Sequence, residues 1–254
     1  MSQNQKFIIT LLLIALAGIA SLYLVPLETL VPEGEIDLPP HLLKLVLLIQ
    51  PAVLSLIAIL IGVFLSSKVG LSAPVLETLS KGMPLGSKLK QQLIPATIGG
   101  IGVAFILLAY GYITEAFFIN SGSDILSKVL ALNPPLLTKV LYGGMVEEIL
   151  MRWGFMTLII WGLWKLSEGH NPPTTVIIWT GICLSAFLFA LGHFPVLYGI
   201  TDNPPLWIMG SVLIGNALPG IWFGWLYYKF GLEAAMIAHA LGHVFSTVII
   251  SFLN

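Results

Sequence analysis

Along the chain, the hydrophobic pattern shows neither the two-residue alternation of a half-buried strand nor a narrow helical stripe; it is a series of long runs apolar on every face. The runs fall at residues 7 to 27, 42 to 66, 92 to 119, 136 to 164, 174 to 197, 206 to 228 and 232 to 253. A hydrocarbon core roughly 30 Å thick takes about 20 apolar residues per helix. The pattern therefore predicts an all-α fold, a polytopic transmembrane helical bundle of about seven spans, within a range of six to eight. The breaks carry helix stop and start signals: Val31-Pro32-Glu33-Gly34 with Pro39-Pro40, Gly82-Met83-Pro84, and Asn-Pro-Pro at 133–135, 171–173 and 203–205. Each Asn-Pro-Pro precedes a run, and proline at a helix start sacrifices no hydrogen bond.

Composition sharpens this picture. Apolar residues make up 57% of the 254 and charged ones 9%, against about 25% charged in a soluble domain, which excludes a water-soluble fold. The length accommodates the spans and little else, so residues 1–254 read as a single integral membrane domain in contact with the lipid bilayer. The eleven Lys and Arg form no dense block, and no nucleic-acid partner is expected. Lys6 followed by the run Phe7 to Val25 resembles a signal peptide. That run exceeds the usual apolar core of about 7 to 15 residues, and its small residues Ala15 and Ala17 lie within it, so it reads as a retained span. Cys183, alone of its kind, can form no intrachain disulfide.

Lysine placement sets an expected orientation. With the N-terminus cytoplasmic, Lys6, Lys68, Lys81, Lys88, Lys90, Lys165 and Lys229 fall inside, and Lys44, Lys128 and Lys139 outside. A multi-pass protein of the plasma membrane with a cytoplasmic N-terminus is the expectation. The acidic stretch Glu28, Glu33, Glu35 and Asp37 then faces outward.

Ionisable residues inside a span are the informative ones, since each costs roughly 2.5 to 3.5 kcal/mol at the helix centre. The fourth run keeps three within six positions, Glu147, Glu148 and Arg152. Glu148 and Arg152 are four apart and share a helical face. Glu147 is turned about 100° away on a regular helix. Two carboxylates and one guanidinium leave an excess negative charge, which suits a general base acting on water. Gly143 and Gly144, just before them, allow a helix or a peptide backbone to come close. Phe189 and His193 share a face by the same spacing, as do His239 and His243 in the last run. Neutral imidazoles on neighbouring helices can hold water, polarise a carbonyl or bind a metal.

Glu147-Glu148-x-x-x-Arg152, then Phe189-x-x-x-His193, then His239-x-x-x-His243, in that order on three spans, resembles the CPBP intramembrane proteases, which include the CAAX prenyl endopeptidases. The resemblance covers residues 136 to 253, read as the catalytic spans, and leaves 1–135 as N-terminal spans of unassigned role. It implies an endopeptidase acting on a membrane-associated protein or peptide, including prenylated CAAX-type substrates. By that resemblance Glu147 activates water, His193 helps hold it, Glu148 and Arg152 form a supporting pair, and His239 with His243 stabilises the oxyanion. Position 243 departs from the family pattern, which has Asn or Asp there; a neutral His still donates one hydrogen bond. No cofactor is expected. A zinc-dependent alternative would use His193, His239 and His243 as ligands, although no His-Glu-x-x-His signature is present. A transporter using the same residues as a proton relay, or a silent immunity scaffold, are the non-enzymatic alternatives; no inverted repeat supports the first.

Overall fold

The computed structural model describes residues 2–31, 37–121, 128, 132–167, 169 and 172–253. The expected features at Pro32 to Gly34, Glu35, His170 and Asn171 lie outside the described residues. Seven helices are long and apolar enough to cross a membrane: α1 Gln3–Leu24, α2 Pro40–Val69, α3 Gly86–Ala116, α4 Leu136–Leu166, α5 Thr175–Ile200, α6 Leu206–Phe230 and α7 Leu232–Leu253. Among the described residues there is no strand. Each span matches one apolar run to within a few residues, the largest difference being at α3, which begins six residues early because Lys88 and Lys90 occupy its solvated first turns.

Small residues set the packing of the second half of the chain. α7 lies against α3 and the first half of α4, and α6 lies against α5 and α3. The Gly99-Gly100 step of α3, expected to be a close helix contact, is one. A Cβ at Gly100 would sit 2.6 Å from Leu241 Cβ and 3.1 Å from the Ala238 carbonyl oxygen, and one at Gly99 would sit 2.8 Å from Leu226 Cδ1. Gly144 does the same for α4 and α7, where an added Cβ would be 2.8 Å from Ala240 Cβ and 3.0 Å from its Cα. Close backbone approach replaces the hydrophobic drive that lipid removes. At the N-terminal face of the bundle, Glu233 at the start of α7 accepts from the Leu76 backbone N–H at 2.8 Å, holding the short helix Pro74–Ser80 against it.

Two expectations need correction. α4 is not a regular α-helix around the charged cluster. Lys139–Glu147 and Ile149–Met156 are π-helical, and the Thr157 hydroxyl donates to the carbonyl five residues back, Arg152, at 3.1 Å. π-turns close i→i+5 rather than i→i+4 bonds and are commonly found at functional sites. The 100° separation of Glu147 and Glu148 belongs to α geometry and does not carry over. The tryptophans, expected mainly at interfaces and lipid-facing surfaces, also furnish a core residue. Trp153 is 1% exposed, packs edge-on to Phe7 at 5.6 Å, and donates from Nε1 to the Ile59 carbonyl at 3.3 Å.

Candidate active site

Arg152 and Glu148 form the floor. Both are fully buried, at 1% and 0% exposure. Arg152 Nε lies 3.2 Å from Glu148 Oε2, and its Nη2 donates to the Gly220 carbonyl of α6 at 2.8 Å. The guanidinium also lies over the rings of Phe189 and Phe223, at 5.3 and 5.4 Å from their centroids. A buried charge needs this many partners, because an unpaired one carries a desolvation cost of several kcal/mol. Gly220 makes the approach possible: a Cβ there would sit 3.3 Å from Arg152 Nη2 and 3.0 Å from Ala186 Cβ.

Glu148 has a second partner that the motif spacing does not announce. Its Oε1 is 2.8 Å from His239 Nδ1. With Glu148 ionised, Nδ1 carries the proton and donates it, so a neutral His239 presents the lone pair of Nε2. That ring stacks on Phe223, with centroids 4.4 Å apart and planes at 14°. Its tautomer and its plane are therefore both fixed.

Glu147 turns away from this buried pair. Its side chain keeps 20% exposure, and its Oε2 is 3.9 Å from His239 Nε2. It faces a cavity of about 440 Å³ that also exposes His193, His239, His243, Tyr142 and Asn216. The remaining wall is mostly apolar, drawn from residues such as Leu22, Val25, Leu30, Leu107, Val196 and Ile200. These lie at the C-terminal ends of α1 and α5, while Leu132 to Tyr142 lead into α4. The cavity thus opens on the face of the bundle opposite the N-terminus of α1 and is closed beneath by Glu148 and Arg152.

His193 sits where α5 breaks. The helix runs Thr175–Leu191 and resumes at Phe194–Ile200, the continuation towards Tyr198 that a buried role for His193 requires. His193 Nδ1 bonds the Phe189 carbonyl at 2.9 Å, and the Phe189 and His193 rings meet edge to face at 4.8 Å. The Phe-x-x-x-His spacing therefore positions the imidazole over the ring that also covers Arg152.

Gly143 leaves an opening between the last two histidines. The point where a Cβ would lie is 3.3 Å from His243 Nε2 and 3.5 Å from His239 Nε2. A small oxygen placed near that point meets both ring nitrogens. The two rings are 5.1 Å apart.

All six residues singled out from the sequence thus gather at one place. Glu147, His193, His239 and His243 line the cavity, and Glu148 and Arg152 support it from below. Gly220 and Phe223 of α6, which hold Arg152 and His239, had no signal in the sequence beyond a glycine in mid-span. Among the described residues, no three His, Cys, Asp or Glu side chains are arranged to hold a metal ion, the trio His193, His239 and His243 included.

This is a polytopic α-helical membrane protein whose buried carboxylate, guanidinium and histidine groups meet at an internal cavity. Residues 130–245 match the family described as type II CAAX prenyl endopeptidase Rce1-like. That segment, slightly under half of the chain, holds all six site residues and bears out the CPBP resemblance read from the three motifs. The match supports a CAAX-type membrane peptidase. No curated protein and no solved structure gave a match to the chain.

Proposed function

We propose that the cavity hydrolyses a peptide bond in a membrane-associated protein or peptide, with Glu147 as general base. The observation that carries this reading is the division of labour between adjacent carboxylates: Glu148 is fully buried and held by Arg152 and His239, while Glu147 faces the cavity. A carboxylate free to take a proton, beside imidazoles and within reach of water, is what water activation needs.

In this mechanism a water molecule lies between Glu147 and His193. Glu147 takes its proton as the water oxygen attacks the scissile carbonyl carbon. The oxyanion settles near Gly143, facing His243 and His239. His243 donates directly in its Nε2–H tautomer. His239, whose Nε2 is the acceptor when neutral, donates once it has gained a proton, and Glu148 behind it stabilises that imidazolium. The carbon–nitrogen bond then breaks and the proton passes to the departing amine. Donors of this kind contribute roughly 2.7 to 4 kcal/mol each to the transition state in other proteases. Every step draws on side chains alone, and chelation tests metal dependence directly.

Orientation follows from charge. With the cation-rich face cytoplasmic, the N-terminus is inside, and the cavity accepts its substrate from the opposite, non-cytoplasmic side of the plasma membrane. Cysteine labelling from outside, with single cysteines at Leu30 and Lys81 in a variant lacking Cys183, reads this out: labelling at 81 and not at 30 reverses the orientation.

Cleavage of a quenched fluorescent peptide library by detergent-purified protein tests the activity. Wild type cleaves and Glu147→Gln does not, with both folded and both indifferent to chelator. Full activity in Glu147→Gln removes the glutamate mechanism, and loss of wild-type activity on chelation replaces it with a metal-dependent one. The proton-relay reading has less support, since the cavity ends on the buried Glu148 and Arg152 and offers no second opening for alternating access.

A further inference from the structure

The cavity contains one permanent cation that the hydrolysis does not use. Three lysines lie on its face of the bundle. Lys44 pairs with Glu28 at 3.4 Å and donates to the Tyr23 carbonyl at 3.3 Å. Lys128 donates to the Ile200 carbonyl at 3.3 Å. Lys139 lines the cavity itself, and has no ion pair or hydrogen bond from its ammonium to any described residue. It is half-buried, while Leu136 and Leu137 before it are exposed, so its side chain belongs to the cavity wall rather than to the lipid-facing surface. An ammonium group in an apolar-walled cavity is an incomplete ion pair.

Its position relative to the proposed chemistry narrows what completes it. Lys139, Gly143 and Glu147 follow one another at four-residue steps along α4, and all three line the cavity. Eight residues rise about 12 Å at α-helical pitch, and somewhat less over a π-helical stretch. An extended peptide advances at most about 3.3 to 3.6 Å per residue. A peptide whose scissile carbonyl lies between Glu147 and Gly143 therefore reaches Lys139 about three residues further on. The first turn of α4 adds its unpaired backbone N–H groups and the positive end of the helix dipole at the same place.

Resting on the peptidase reading, we propose that Lys139 is a specificity-determining residue that binds the free C-terminal carboxylate of the substrate and so selects chain ends over internal segments. The ligand is a peptide α-carboxylate, seated at the mouth of the cavity while the bond two to four residues upstream lies at Glu147. The fragment released is a short peptide carrying that carboxylate.

The test uses the best-cleaved library sequence, synthesised once as the free acid and once as the C-terminal carboxamide. Wild type favours the acid in kcat/KM by about tenfold or more, expressed through KM, as befits a charge-assisted hydrogen bond. The ratio collapses towards one in Lys139→Met and survives in Lys139→Arg. Lys139→Gln gives the same collapse and serves if the methionine variant folds poorly. A ratio near one in wild type, or a ratio that persists in both Lys139→Met and Lys139→Gln, overturns the assignment and leaves an interfacial lysine only. Cleavage of both peptides without discrimination sinks the anchor alone, whereas wild-type protein that cleaves neither sinks the peptidase reading and the anchor together.

Discussion

His239 Nδ1 lies 2.8 Å from Glu148 Oε1, a hydrogen bond that ties α7 to α4 across 91 positions of sequence. The contact gives Glu148 two tasks. One oxygen holds Arg152, and the other fixes which nitrogen of His239 faces the cavity. His239→Gln removes the ring that can gain a proton, and kcat is expected to fall roughly 100-fold or more with KM little changed. Steady-state kinetics on the library-derived peptide check this; a change confined to KM would make His239 a binding residue instead.

Arg152 is expected to matter for stability as much as for activity. Arg152→Met leaves Glu148 buried without its cation, which costs about 3 to 5 kcal/mol. The double variant Glu148→Gln/Arg152→Met removes both charges and recovers most of that loss, while remaining inactive because His239 is no longer oriented. Thermal unfolding in detergent distinguishes the two, and equal midpoints for single and double variants would contradict the buried pair.

Gly143 and Gly144 are adjacent and should respond differently. Gly143→Ala places a methyl in the opening shared by His239 and His243, at contacts of 3.3 to 3.5 Å that the rings can absorb. The fold is retained and cleavage is lost. Gly144→Ala drives a methyl into the backbone of Ala240 and separates α4 from α7, with a loss of about 1 to 3 kcal/mol. Comparing melting points with turnover separates the two effects; full activity in Gly143→Ala would empty the oxyanion position.

His243→Asn restores the residue that the resembling family favours. Asparagine keeps a donor aimed at the same opening, so activity within a few-fold of wild type is expected, whereas His243→Leu loses the donor and falls about 100-fold. A His243→Leu variant as active as wild type would assign oxyanion stabilisation to His239 alone.

The spans were legible because lipid imposes one demand everywhere, twenty or so apolar residues with the backbone satisfied internally. The Glu148–Arg152 pair was legible because i,i+4 spacing is local. The Glu148–His239 bond was not, since nothing in either motif states which helix faces which. The π-helical stretch of α4 was equally hidden: π and α turns draw on the same apolar residues, and only the hydrogen-bond ladder tells them apart. Gly220 could be seen as a small residue in a span, but not as the carbonyl awaiting Arg152. Lys139 was visible only as a charge to be counted for orientation, and acquired a local meaning once Lys44 and Lys128 were seen to have partners and it was not.

The floor of the cavity also governs how the products leave. Glu148, Arg152, Trp153 and Met156 are sealed beneath the site, with no more than 1% exposure each, so the two fragments have a single exit, the mouth by which the chain entered. The fragment nearer that mouth must depart before the other can leave, and until it does the next chain waits. Turnover is then paced by clearance, and the short released peptide is a competitive inhibitor of the protein that made it.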